Sequence, residues 1–208
     1  MNIIRKPFRY TFSNATLWLV ALNLLVFFAE LVVPRFQVYL GLSMAGIHYR
    51  YYWQFVTYMF VHGSWSHIIF NMFALFVFGM QVERSIGTKE FILFYILCGF
   101  LSGLLSEAAY WFLGWNVLLM GASGAIYALL LAYAVIFPRN ILFVMGIVPV
   151  PAPLLVLIYA GIEVFSQIFA PGGVAHLAHL FGFAAAWLYF VIRMGIHPLR
   201  VWHSAWRR

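Results

Sequence analysis

Gly121-Ala122-Ser123-Gly124 sets one hydroxyl between two glycines, at the start of an apolar run that carries no charge until Arg139. Met120 precedes it and Ala125-Ile126-Tyr127-Ala128-Leu129-Leu130-Leu131 come after, which puts Ser123 near the first turn of a membrane-buried helix. A serine there becomes a nucleophile once a base comes within hydrogen-bond reach, and a neutral histidine is the usual base. Small residues alone would also serve close helix packing in lipid. The placement of the histidines separates the two readings. His62 and His67 stand in one block with Asn71, and His176 and His179 in another. Attack on a carbonyl also needs donors aimed at the oxyanion, and neutral imidazole, a side-chain amide and backbone N–H groups at a helix N-terminus can supply them. His67, Asn71 and the amides around Ser123 meet that need.

The elements that must bring these groups together are membrane helices. Of 208 residues, 65% are hydrophobic and 8% charged, a balance that excludes a soluble domain. The 20% of aromatics suits interfacial belts of Trp and Tyr. The net charge of +7 flanks apolar segments instead of forming a stripe, so it speaks for orientation in the membrane and against nucleic acid. Cys98, alone in an apolar helix, allows neither an internal disulfide nor a Cys-based metal cluster. No removable signal peptide is expected, because the first apolar run is too long and no small-residue cleavage pattern precedes Pro34.

Six spanning segments are expected: Ala15 to Val33, His67 to Val82, Glu90 to Leu113, Met120 to Phe137, Leu154 to Phe169 and Ala175 to Met194. Arg5, Lys6, Arg9, Arg84, Lys89, Arg139, Arg193, Arg200, Arg207 and Arg208 fall on the side of the termini, against Arg35 and Arg50 on the other. The positive-inside rule then makes both termini cytoplasmic. The aromatic connection from Pro34 to Ser66 reads as a partly helical element in the outer-leaflet interface. Ile141 to Val150 is too short to span, and Pro149, Pro151 and Pro153 break it from the run that begins at Leu154; it either lies at the inner surface or begins the fifth helix. The whole reads as one all-α polytopic membrane domain over 1–208, with a cytoplasmic segment 1–14, an outer loop 34–66 and a basic tail 195–208 directed at anionic headgroups.

Segments two, four and six then run from outside to inside, so His67, Asn71, Ser123, His176 and His179 share one depth beneath the outer surface. Polar residues inside a membrane usually face an interior cavity. His67 and Asn71 share a helix face, as do Ser123 and Tyr127. With no Asp in the chain a Ser-His-Asp triad is impossible. Glu83 and Glu90 fall at the inner side, Glu163 mid-helix, and Glu30 or Glu107 near enough to the outer side to orient a histidine; the simplest reading is a Ser-His dyad.

These residues resemble the rhomboid family of intramembrane serine proteases, over most of the chain from Trp53 to about Leu188. The block from His62 to Asn71 looks like the family's H-x-x-x-N helix and is followed by Val82-Glu83-Arg84 and Gly87; Gly121-Ala122-Ser123-Gly124 resembles its G-x-S-G, and Ala178-His179-Leu180-Phe181-Gly182 its A-H-x-x-G. The resemblance implies a six-helix fold with an outer-leaflet loop between the first two helices. It implies that Ser123 attacks a peptide bond, that His179 is the base, that His67 and Asn71 help bind the oxyanion, and that Tyr127 packs on the His179 ring. No cofactor is called for. The expected partners are single-pass transmembrane substrates, entering from lipid near the second and fifth helices and cleaved near the outer face of their membrane segment. Gln54 after Trp53 departs from the family's common Trp-Arg pair, which bears on the anchoring of the outer loop.

His179 is preferred to His176 as base because Gly182 and Ala186 follow it at helical spacing and can pack on Gly124 and Ala128. His176 is expected at the cavity mouth, and His62 holding the outer loop or lining the cavity. Gly99 and Gly103 are expected in helix packing, and Glu83 and Arg84 as a cytoplasmic pair. Two rivals are a metal-binding protein, gathering His62, His67, His176 and His179 with no carboxylate among them, and a non-catalytic chaperone on the same scaffold. A channel or secondary transporter fits less well, with no inverted repeat. Size and topology point to a bacterial plasma membrane.

Overall fold

The computed structural model describes residues 3–144, 146–169 and 175–207. Arg208 of the basic tail, the first two residues of the N-terminal segment and Met145 lie outside them. After a 3-10 turn at Ile3–Arg5 the chain forms α1 (Ala15–Val32), then the short helices α2 (Phe36–Leu40), α3 (Met44–His48) and α4 (Gln54–Thr57) and a 3-10 turn at Tyr58–Phe60. The second long helix consists of α5 (Trp65–Ala74), a π-helical stretch Leu75–Gly79 and α6 (Met80–Ile86). There follow α7 (Thr88–Leu113), α8 (Ser123–Ile136), strands β1 (Ile141–Val144) and β2 (Val148–Pro151), α9 (Ala152–Phe169), α10 (His176–Tyr189) with a π-helical end at Phe190–Met194, and α11 (Pro198–Trp206).

Five helical stretches are long and apolar enough to cross a membrane: Ala15–Val32, Trp65–Ile86, Thr88–Leu113, Ala152–Phe169 and His176–Met194. The protein is a multi-pass integral membrane protein. The other long apolar helix, α8, has 14 residues, about 21 Å at 1.5 Å per residue and short of the ~30 Å hydrocarbon layer. Eleven of those 14 are buried, from Gly124 to Val135 with Tyr127 the exception. A helix apolar on every face belongs at the centre, and the second long helix, α7, α9 and α10 pack around it.

Glycine lets α10 approach α8. A Cβ added at Gly182 would collide with the Gly124 carbonyl oxygen, so the two backbones meet with no side chain between them. Ser102 of α7 clamps the same crossing, donating to the Ala178 carbonyl at 2.6 Å. Gly99 and Gly103 of α7 are also packing positions, but what they admit is the Met59 and Tyr58 side chains of the outer loop.

That loop is built into the protein. Gln54, fully buried, accepts from the Ser43 N–H at 3.3 Å and donates to the carbonyls of Val38 and Tyr39 at 2.9 and 3.2 Å, so the amide anchors the loop. Tyr58 donates to the Gly99 carbonyl at 2.7 Å; burial pushes its phenol above the ordinary range and keeps it a donor. Leu42 and Leu119 exchange backbone hydrogen bonds at 2.9 and 2.8 Å, and the Gly121 N–H donates to the Tyr58 carbonyl at 2.9 Å. The loop therefore holds the strand-like segment that delivers Ser123.

At the other end, Glu83 does not pair with Arg84. Its carboxylate accepts from the N–H groups of Ala15 and Thr16 at 2.7 and 2.9 Å and from the hydroxyls of Thr16 and Thr88 at 2.8 and 2.6 Å. Asn14 offers no side-chain cap to α1, and Glu83 supplies the missing acceptors from across the fold. Arg84 instead stands over the Phe12 ring, 5.7 Å from its centroid. Beside this knot Glu90 receives the Arg193 guanidinium at 2.8 and 2.9 Å and the Tyr189 hydroxyl. Of the two alternatives for Ile141 to Val150, the start of the fifth helix is ruled out: the stretch forms a β-hairpin ahead of α9. Ile141–Val144 pairs antiparallel with Val148–Pro151, and Gly146 turns between them at φ 74°. Pro149 and Pro151 fall at alternate positions of β2, the spacing at which an antiparallel strand needs no N–H from either.

Candidate active site

Ser123 opens α8, after Gly121 at φ 114°. Only glycine takes that conformation without strain, and the space is closed as well: a Cβ there would lie 2.6 Å from His67 Nε2 and 3.5 Å from Asn71 Nδ2. Gly121 is therefore outside the helix that the sequence placed from Met120 onward. His67 and Asn71 come from α5, whose first turn is fixed by Ser64 Oγ accepting the His67 N–H at 3.2 Å. Asn71 is buried, and its Nδ2 has no hydrogen-bond partner among the described residues. A buried amide donor left open next to the Gly121 backbone is a group waiting for an acceptor.

α10 brings His179 across the Gly124–Gly182 contact. Its Nε2 lies 2.8 Å from Ser123 Oγ. Tyr127, one helical turn beyond Ser123, stacks on the imidazole with centroids 4.1 Å apart and planes 6° apart, while Phe183 and Tyr159 stand edge-on to Tyr127. A cavity of about 1030 Å³ opens over this group, lined among others by His67, Asn71, Ser123, Tyr127, Gln167 and His179. Its walls come from α5 and α9 as well as from α8 and α10.

Glu163 of α9, 4% exposed, closes the back of the site. It accepts from the Tyr127 hydroxyl and from His176 Nδ1, the latter at 2.5 Å. His179 Nδ1 is 2.9 Å from Glu163 Oε1, off the direction of the ring N–H, and this buried nitrogen has no other partner among the described residues. Two expectations change here. His176 does not sit at the cavity mouth: it is buried and turned to Glu163. A carboxylate does join the histidines, because α9 packs its Glu163 face between α8 and α10. Sequence reasoning missed Glu163, although an isolated charge in an apolar helix was a signal, as was the stripe Tyr159, Glu163, Gln167 at a spacing of four.

The four histidines do not gather as one set. His62, fully buried, donates its backbone N–H to the Glu30 carboxylate at 3.1 Å and stands edge-on to His67 with centroids 5.0 Å apart. Burial, and then the neighbouring His67, push its imidazole down to about 4. Among the described residues, Glu163, His176 and His179 form a group whose ligand atoms lie within 4.8 Å of one another, the size of a metal site.

The Rhomboid domain profile matches residues 49–195 of the chain. The chain belongs to the rhomboid family. It is 32% identical over 127 residues to Rhomboid-like protein 11, chloroplastic, of Arabidopsis thaliana, 60% of this chain and 42% of that protein. It is 27% identical over 136 residues to Rhomboid protease GlpG of Haemophilus influenzae, 60% of this chain and 64% of the relative. With Rhomboid protease AarA of Providencia stuartii it shares 34% identity over 104 residues, 46% of this chain and 36% of the relative. The chain thus spans less than two thirds of the length of these rhomboid relatives.

Proposed function

We propose that this rhomboid family member is an intramembrane serine endopeptidase. The observation that carries the reading is the 2.8 Å contact between Ser123 Oγ and His179 Nε2 beneath a cavity also lined by Asn71, whose Nδ2 has no partner among the described residues. Ser123 gives its proton to His179 Nε2 and attacks the carbonyl carbon of a peptide bond. The oxyanion so formed is met by Asn71, His67 and the backbone N–H groups around Ser123. His179 passes the proton to the departing amine, leaving an acyl group on Ser123, and then activates the water that releases it. Water reaches this chemistry through the cavity.

The substrate is a single-pass membrane protein whose helix enters from lipid between α5 and α9 and is cut near the outer face. Exposed Phe70 and Phe73 on α5 and Phe165 and Phe169 on α9 suit an apolar helix at that edge. The scissile bond must leave its helix first, because a helical turn shields the peptide group from attack. Both termini are cytoplasmic by the distribution of Lys and Arg, and the setting is a bacterial plasma membrane.

Labelling of the purified protein with a fluorophosphonate tests the reading without a known substrate. Wild type is expected to be labelled, Ser123→Ala and His179→Ala to remain at background, and chelator to make no difference. A folded wild type that takes no label, or label retained in Ser123→Ala, would sink it.

A further inference from the structure

We infer that Glu163 is the positioning residue for His179, so that the hydrolytic group is a serine, a histidine and a glutamate held by a tyrosine and a second histidine. The inference rests on the serine endopeptidase reading and assigns the buried carboxylate beneath its base.

Three facts carry it. Glu163 lies on the far side of the His179 ring from Ser123, with Nε2 2.8 Å from the serine and Nδ1 2.9 Å from the carboxylate. The carboxylate is the one acidic group within ion-pair reach of the buried Nδ1, which makes no hydrogen bond among the described residues. The carboxylate is itself immobilised, one oxygen taking the Tyr127 hydroxyl and the other His176 Nδ1. Without such donors an ionised carboxylate inside a membrane protein would be too costly to keep.

The chemical consequence comes from the two ring nitrogens. A carboxylate at Nδ1 selects the tautomer with the proton there and leaves the Nε2 lone pair free for the Ser123 hydroxyl. When Ser123 attacks, its proton moves to Nε2 and the ring becomes imidazolium. The Nδ1 proton stays on the ring, and Glu163 balances the new positive charge across 2.9 Å. In this structure the Nδ1 N–H lies within ion-pair distance of the carboxylate but is not aligned on it. Such contacts commonly tighten only when substrate is bound. Tyr127 therefore has two tasks, stacking on the base and holding its partner.

The test uses the full chain in detergent micelles. Glu163→Gln preserves shape and removes the charge, and it should slow fluorophosphonate labelling of Ser123 by about 10²- to 10⁴-fold. With a cleavable membrane substrate the loss should fall on kcat and leave KM within a factor of about 2, because the carboxylate touches no substrate. Glu163→Asp should recover part of the rate. Independently of any variant's folding, ¹⁵N spectra of histidine-labelled wild type should show the His179 ring protonated at Nδ1. Labelling at wild-type rate in Glu163→Gln, or a His179 proton on Nε2, overturns the role of Glu163 while the endopeptidase reading stands. Absence of labelling in folded wild type defeats both. One equivalent of zinc retained by wild type and lost in Glu163→Gln would give the group to a metal and overturn the inference.

Discussion

Glu83 and Glu163 are both buried glutamates on membrane helices, and both gather partners from two other helices, yet the two surroundings differ in kind. Around Glu83 the donors are backbone N–H groups and threonine hydroxyls, none of which changes charge near neutral pH. Around Glu163 they are a phenol and imidazoles, one of which touches a serine at the floor of a cavity. The first arrangement ties the start of α1 to the end of the second long helix. The second holds a titratable ring in one orientation. Burial of a carboxylate therefore says little about role until its donors and their access to water are named.

The sharpest contrast comes from breaking both regions in parallel. Ser123→Ala should abolish labelling and proteolysis, by more than about 10³-fold, with the unfolding midpoint unchanged. Glu83→Ala should do the reverse. It leaves the N–H groups of Ala15 and Thr16 without their acceptors, at roughly 2–5 kcal/mol, so the midpoint should fall by roughly 5 to 15 °C while the labelling rate per folded molecule holds. An active-site loss in stable Glu83→Ala protein would dissolve the distinction. Asn71→Ala comes next in size: deleting one oxyanion donor should lower kcat by about 10²- to 10³-fold. A stability loss in place of a rate loss would move Asn71 to the structural side.

Much of this was legible because it is local. Hydropathy and charge are written along the chain, so the long helices were found to within a few residues, and the i, i+4 spacing of His67 with Asn71 follows from helix geometry alone. The approach of α10 to α8 was also readable, since Gly182 and Ala186 mark a face that can come close. What escaped depends on residues far apart in sequence. Glu83 looked like a partner for its neighbour Arg84, because nothing in the sequence says that α1 starts without a cap of its own and borrows one from 67 residues away. Glu163 read only as mid-helix, because its partners come from α8 and α10. The β-hairpin was hidden by its prolines, which argue against a strand unless their alternate spacing is noticed.

A smaller effect tests the loop side of the site by pH. His62 is held neutral down to about 4, whereas an unfolded histidine takes up its proton near 6.5. As pH falls from about 6.5 toward 4 the unfolded state binds a proton that the folded state refuses, so stability should fall through that window, by up to about 3 kcal/mol. Above pH 7 the contribution is complete and flat. Unfolding midpoints of His62→Phe against pH should lose part of the acid slope. An unchanged slope would mean that His62 takes no part in it.

The smallest effect probes how much of the site depends on the outer member of the glutamate group. His176→Ala removes the 2.5 Å hydrogen bond to one Glu163 oxygen but leaves the Tyr127 hydroxyl and His179 on the other. The carboxylate keeps its place and loses one donor, so the rate of Ser123 labelling should drop by roughly 3- to 10-fold, the effect of about 1 kcal/mol. His176→Gln, which can still donate, should lie between the variant and wild type. A drop as large as that of His179→Ala would make His176 the base, and the 2.8 Å contact of His179 with Ser123 would then need another explanation. No drop at all would mean that Tyr127 alone holds Glu163, and it would confine the machinery to α8, α9 and one histidine of α10.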